Sequence, residues 1–232
     1  MPHVRVILIE PLYEINIGLT CRVMKNFGFK DLCIVRPRTD ISDTARIFAV
    51  KAVDVLETAS IVKSLDEAIE GFDIKVGTTG KLAGPRNVLR AAVPPWHLQE
   101  LLKYEGKVAL LFGREDIGLT NEELALCDIL VHIPTSEEYP VMNVTHSVAI
   151  LLYELSKKTV KPRLKLAGEN LRLVALRYFD EILALIEYPE GKRRRSHLVF
   201  KRLLGKSMSS RKELLTLLSV LRKLSLKLKE GT

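Results

Sequence analysis

Three short stretches gather small and polar residues where chemistry could occur. They are Thr78-Thr79-Gly80, Gly113-Arg114-Glu115, and the segment from Ile133 to Asn143. Each follows a run of apolar, strand-like residues. Open α/β sheets bind ligands beyond the carboxyl ends of their strands, and small residues let backbone amides and carbonyls approach a ligand closely. The last stretch runs into PVMNVTHSVAIL (140–151), which has Val144, Val148, Leu151 and Leu152 at helical spacing. Its first turn nevertheless carries Asn143, Thr145, His146 and Ser147. Three readings fit this polar turn: an N-cap at Asn143, a glycosylation sequon at Asn143-Val144-Thr145, or a helix start facing a ligand.

Two further polar residues lie near a predicted helix start. Asn16 is placed to cap it, and Arg22 follows six residues later. No G-x-G-x-x-G follows a strand, and no G-x-x-x-x-G-K-[ST] occurs, so neither a dinucleotide site nor a P-loop is indicated. There is no Ser-His-Asp or Cys-His signature. Cys21, Cys33 and Cys127 are odd in number and lack C-x-x-C spacing, which suggests neither a disulfide framework nor a zinc site. No metal ligand set is expected. A reducing cytoplasm is the simplest home, and the sequon is then an accident of sequence.

The elements that position these residues alternate in type. HVRVILI (3–9), DLCIV (31–35), DIKVGTTG (73–80), VALLFG (108–113) and ILVHIP (129–134) read as strands. Helices are predicted over 16–28, closing on Gly28, and over 42–50, 58–70, 94–105, 120–127 and 143–156. The helix at 120–127 opens with a capping-box pattern, Thr120 followed by Glu123. Strands alternating with helices predict an α/β fold, a mostly parallel sheet with helices on both faces. The chain has 232 residues, 47% of them hydrophobic, enough to bury a sizeable core. No segment reaches the roughly 18 uninterrupted apolar residues of a membrane span.

The net charge of +8 is unevenly distributed. Residues 1–156 hold 16 Lys+Arg and 21 Asp+Glu, a balance of −5. Residues 157–232 hold 20 and 7, a balance of +13. The charged link at about 157–165 divides an acidic α/β domain (1–157) from a basic, helical extension (166–232), with helices predicted at about 169–187, 196–204 and 210–229. A polyanion is the partner such an extension favours. Its like-charged cluster Lys192-Arg193-Arg194-Arg195 is relieved by such a partner; a solvated basic face is the alternative.

Three segments carry a resemblance. IEPLYEINIGLTCRVMKNFGF (9–29), LLFGREDIGLTNEEL (110–124) and IPTSEEYPVMNVTHSVAILLYEL (133–155) resemble the three motifs of the SPOUT RNA methyltransferases, most closely the TrmJ type, which methylates tRNA ribose 2′-hydroxyls. The resemblance spans about residues 3–157. It implies a C-terminal deep trefoil knot, an exception to the unknotted chains of most folds. It also implies a homodimer whose active site is shared between subunits, and S-adenosylmethionine as cofactor.

Carried over residue by residue, the cofactor site comprises Thr78, Thr79, Gly80, Gly113, Glu115, Ile133, Met142 and Asn143. The catalytic set comprises Arg22, Asn16, Glu115 and Asn143. The expected RNA contacts are Arg86, Arg193, Arg194, Arg195, Lys201 and Arg202. The expected reaction is 2′-O-methylation of tRNA, with cytidine 32 of the anticodon loop as the favoured target. A ribosomal RNA substrate and a non-catalytic RNA-binding role are the alternatives. Relatives often have Ser where this chain has Val141, which removes one hydroxyl contact.

Overall fold

The computed structural model describes residues 2–80, 92–157, 164–207 and 209–230. In chain order the elements are β1 (His3–Ile9), α1 (Glu14–Phe27), β2 (Asp31–Val35), α2 (Asp43–Ala49), α3 (Val53–Glu57), β3 (Ser60–Val62), α4 (Leu65–Ile69) and β4 (Ile74–Thr78). They continue with β5 (Tyr104–Glu105), β6 (Lys107–Phe112), α5 (Asn121–Leu126), β7 (Ile129–Val131), α6 (Val144–Ser156), β8 (Leu164–Lys165), α7 (Glu169–Leu185), α8 (Glu190–Lys206) and α9 (Arg211–Glu230). Six strands form a parallel sheet in the order β3-β2-β1-β6-β4-β7.

Side chains alternate across a strand, and β1 shows what this achieves. Val4, Val6 and Leu8 face a core under α1 and α6, with Ile17, Met24 and Leu151. Ile7 and Ile9 face a second core under α4 and α5, with Leu65, Ala68 and Leu124. The sheet is thus covered on both faces, as a parallel sheet requires. Gly28 closes α1 in the left-handed region at φ 81°, and Thr120 with Glu123 forms the capping box of α5.

Several elements differ from the sequence expectation. The helix predicted over 58–70 is in fact a strand and a short helix. Ser60, Ile61 and Val62 pair with Cys33, Ile34 and Val35 at the sheet edge, and Ser64 then caps α4. The β-branched pair Ile61-Val62 suits a strand better than a helix, and its helical spacing with Leu65 and Ile69 joined two elements into one. Residues 95–103 form a 3₁₀ helix.

α1 starts at Glu14, with Tyr13 at the N-cap. Asn16 is therefore inside the helix and is not its cap. α8 starts at Glu190, earlier than predicted, so the cluster Lys192–Arg195 is wound into a helix. Helical winding fans consecutive charges around the axis and relieves their repulsion.

The predicted link at 157–165 lies largely outside the described residues. Its last two, β8, pair with β5, and Leu166 joins the core under α6. A third apolar cluster holds the C-terminal helices together, with Ala175 and Leu176 of α7 against Leu204 of α8 and Leu214 and Leu218 of α9.

Candidate active site

The carboxyl ends of β4, β6 and β7 surround a cavity of about 280 Å³, near the lower end of the roughly 300–1,000 Å³ usual for small-molecule sites. Thr78, Thr79, Gly80, Gly113, Glu115, Ile133 and Met142 all line it. Seven of the eight expected cofactor residues therefore converge, although they come from three distant stretches. Asn143 does not line the cavity. Val141 and Thr135, which belong to the predicted Ile133–Asn143 stretch but not to the expected cofactor set, also line it, as do the loop residues Asp116 and Ile117, which sequence reasoning had not included.

The loop between β6 and α5 turns back on itself. Arg114 N–H donates to Gly118 O at 3.3 Å and Gly118 N–H to Arg114 O at 2.9 Å. Gly118 takes φ 70°, and a Cβ on Gly113 would overlap the Gly118 backbone. The spacing of F-G-R-E-x-x-G is thus a requirement of this loop.

Beneath the loop, the Arg114 guanidinium is clamped between two carboxylates. It donates to Glu10 Oε1 and Oε2 at 2.8 and 3.0 Å, and to Glu123 Oε1 and Oε2 at 3.0 Å each. All three residues are buried. Hydrogen bonding from Arg114, aided by Arg38, holds the Glu10 carboxyl down at about 2, and the same bonds raise the Arg114 pKa. Sequence reasoning missed this clamp. Glu10 follows the end of β1 at the edge of the first motif segment, where no role was assigned to it, and Glu123 was read only as a capping partner.

Asn16, Glu115 and Asn143 join in one chain of hydrogen bonds. Leu12 N–H donates to Glu115 Oε2 at 2.9 Å, and Asn16 Nδ2 to Glu115 Oε1 at 2.8 Å. Asn143 Nδ2 donates to Asn16 Oδ1 at 3.3 Å. Asn143 Oδ1 in turn accepts from the Thr145 amide at 2.8 Å and the Thr145 hydroxyl at 2.7 Å. The polar turn at Asn143 is therefore both a helix cap and a bracket between segments. Gly18, two residues after Asn16, lets α1 lie directly against α2, because a Cβ there would overlap Ala45 O.

Arg22 is exposed on α1 and does not line the cavity. It lies seven residues from Ile15, which puts both on one face of the helix, and Ile15 is itself exposed. Within one chain, Arg22 makes no hydrogen bond to the other three residues of the expected catalytic set.

The cavity fits a ligand held by backbone groups. Among the described residues, the amides of Ile133 and Met142 have no protein partner. The Thr78 hydroxyl, by contrast, already donates to Leu111 O at 3.0 Å, and the Thr79 amide to Val131 O at 3.0 Å. Thr78 and Thr79 shape the wall, while the later segment presents open donors. Cys21, Cys33 and Cys127 are buried, and burial pushes the Cys21 and Cys127 thiols up to about 12. None is a thiolate nucleophile at neutral pH.

The expected RNA residues separate into different surroundings. Arg194 and Arg195 are exposed on α8. Arg193 Nε donates to Tyr188 O at 2.8 Å, beside the end of α7. Lys201 and Arg202 do not belong to an open basic face. Arg202 is 3% exposed, and Lys201 Nζ donates to Ala125 O and Leu126 O at 3.2 and 3.3 Å. A cation there complements the carbonyl end of α5 and ties α8 to the sheet domain. Arg86 lies outside the described residues.

A parallel sheet with such a cavity at its carboxyl edge defines a ligand-binding α/β protein. The chain belongs to the SpoU rRNA Methylase family, whose model matches residues 3–153. It is similar to the tRNA (cytidine-2'-O-)-methyltransferase TrmJ of Methanocaldococcus jannaschii, at 40% identity over 93% of this chain and 97% of that one. It is also similar to the enzyme of the same name from Sulfolobus acidocaldarius, at 34% identity over 97% and 94%. Among solved structures, a probable methylase family protein from Haemophilus influenzae superposes with a TM-score of 0.68 at 27% identity, covering 100% of this chain and 99% of that one. TrmJ from Z. mobilis gives the same TM-score and identity over 97% and 99%.

Proposed function

We propose that the protein transfers a methyl group from S-adenosylmethionine to a ribose 2′-hydroxyl of tRNA, with cytidine 32 of the anticodon loop as its target. The observation that carries this reading is the cavity bounded by the second and third motifs together with Thr78-Thr79-Gly80, with open backbone amides at Ile133 and Met142. The names of the two relatives similar over nearly the whole chain supply the substrate class.

S-adenosylmethionine supplies a methyl group already activated on a sulfonium. The residues named for it are Gly80, Gly113, Ile133 and Met142, which favour a ligand recognised through the backbone. The chain's own task is to orient the hydroxyl and accommodate charge as its proton leaves. Arg22, charged at any physiological pH, suits positioning of phosphate and stabilisation of a developing alkoxide better than proton abstraction. Alignment of the hydroxyl with the methyl supplies much of the rate. Asn16, Glu115 and Asn143 act by holding the motif segments in register.

That Arg22 is exposed and does not line the cavity of its own chain favours a homodimer in which each Arg22 serves the partner's site. The exposed Ile15 and Tyr13 near it favour burial in such an interface. A deep trefoil knot, a division into a sheet domain and an RNA-binding extension, and a cytoplasmic location complete the reading. Among the described residues, no helix is long and apolar enough to cross a membrane.

The test is methylation of unmodified tRNA transcripts by purified protein with labelled cofactor, followed by mapping of the modified ribose. A ribosomal RNA substrate is the second reading, favoured by the family's description. Methylation of ribosomal RNA fragments without methylation of tRNA would establish it instead.

A further inference from the structure

We propose that the groove between α7 and α9 is a binding site for the RNA chain, distinct from the Arg194-Arg195 surface of α8. It takes phosphates along its rim and a base against Tyr178. This rests on the tRNA reading above and specifies where the extension grips its substrate.

Two adjoining cavities, about 520 and 460 Å³, run along this groove and share Tyr178, Arg222 and Leu226. Lining positions on α9 extend from Leu215 to Lys229, about 20 Å at 1.5 Å per residue. That length spans several phosphates.

The charge of the groove is one-sided. Arg177, Arg222 and Lys223 are exposed, and among the described residues none of the three forms a salt bridge or donates a side-chain hydrogen bond. The groove's one acid, Glu181, is already matched. It pairs with Lys229 and accepts from Ser225 Oγ at 2.7 Å. Arg177 also feels the Glu181 carboxylate, whose pKa it helps to lower, but Arg222 and Lys223 remain uncompensated among the described residues, where they repel one another until a polyanion arrives.

The groove also has the apolar component that single-stranded nucleic acid uses. Leu215 and Leu226 are 44% and 48% exposed on its walls. The Arg177 guanidinium lies 5.7 Å from the Tyr178 ring centroid, within cation–π range. An aromatic ring beside arginine, between aliphatic walls and cationic edges, is a platform for base stacking next to phosphate contacts. The charge complementarity is to a polyanion with π-faces, and RNA is the partner that has both.

The experiment is filter binding of unfractionated tRNA to the full-length protein across a salt series. Arg222→Ala/Lys223→Ala should weaken binding about tenfold near physiological salt and flatten the log–log salt slope by about 1.4 to 1.8, for two lost phosphate contacts. Arg222→Lys/Lys223→Arg should keep the slope. Tyr178→Leu should weaken binding with the slope unchanged, because stacking releases no counterion, whereas Tyr178→Phe should retain affinity. Circular dichroism and light scattering on each variant exclude unfolding or altered assembly as the cause.

Unchanged affinity and slope in Arg222→Ala/Lys223→Ala, with tight binding by the unaltered protein, would overturn the groove and leave the tRNA reading standing. No tRNA binding by the unaltered protein would overturn both. Displacement of tRNA by polyglutamate at equal charge, with Tyr178→Leu indistinguishable from the unaltered protein, would assign the groove to an acidic protein and overturn the proposal.

Discussion

Asn143 Nδ2 donates to Asn16 Oδ1 at 3.3 Å, across 127 positions of sequence, and Asn16 passes the connection to Glu115 at 2.8 Å. These side chains bind one another. They hold the start of α1, the loop after β6 and the start of α6 together, and the cavity is bounded by the last two. Asn16→Ala leaves one Glu115 oxygen without its donor and Asn143 without its acceptor. It should destabilise the fold by about 1–3 kcal/mol. Asn143→Ala should cost about 1 kcal/mol through loss of the α6 cap. Thermal unfolding of both single variants and the double variant is the check. The double variant should lose less than the sum, because the two share a bond; strict additivity would mean that the chain of bonds is not a unit.

Arg22 makes the opposite case. It is exposed and does not line the cavity of its own chain, so Arg22→Ala should leave cofactor affinity by calorimetry nearly unchanged. Methyl transfer should fall by at least a hundredfold, the scale of losing one preorganised donor at a reacting oxygen. Heterodimers of Arg22→Ala with a cofactor-pocket variant should regain part of the activity. Verified heterodimers that stay inactive would argue for a site within one subunit.

The cavity wall was legible because small residues after strands have few structural uses. Thr78, Thr79, Gly80 and Gly113 could be named from that alone. Asn16 was misread because Asn is a favoured cap, and nothing local reveals a carboxylate 99 positions away. The edge strand β3 was hidden by Leu65 and Ile69, whose spacing with Ile61 mimics a helix. Lys201 and Arg202 were assigned to RNA by charge, yet α8 turns them toward α5 and β7. Composition reports the charge of a segment and cannot report which face of a helix meets another domain.

Acid should attack the clamp under the β6–α5 loop. Glu10 titrates at about 2 in the folded protein, against the usual 4.5. A carboxyl depressed in the folded state stabilises above its unfolded value, and that stability is lost as pH falls. Glu10 should therefore contribute up to about 3 kcal/mol above pH 4.5, fading between 4.5 and 2. Denaturant midpoints measured from pH 7 to 2.5 should fall for the unaltered protein over this window. Glu10→Gln should be less stable at pH 7 and flatter with pH, since it leaves Arg114 and Glu123 with an uncharged neighbour. An equally steep acid loss in Glu10→Gln would place the titration elsewhere.

Gly205 tests how the C-terminal helices are seated. A Cβ at this position would lie 2.6 Å from Asp128 O and 2.8 Å from Asp128 Cβ, so α8 sits directly against the entry to β7. Asp128 itself is buried; it accepts from the Lys75 amide at 2.8 Å and lies 3.6 Å from the Arg172 guanidinium. Lys75 also pairs with Glu169 at the start of α7. Gly205→Ala should push α8 outward, cost about 1–3 kcal/mol as overpacking, and loosen the Lys201 bonds to the end of α5. Cofactor binding should survive, because the cavity is at the opposite, carboxyl end of the strands. Protection of α8 amides in hydrogen exchange should drop while that of β1 and β6 is retained. The same contacts argue against removing the extension at residue 160 to isolate the sheet domain: that deletion takes Leu166 out of the core and removes Glu169 from Lys75 and Arg172 from Asp128, so the truncated chain should melt below Gly205→Ala. A deletion that melts as high as the full chain would show that the sheet domain does not depend on this interface.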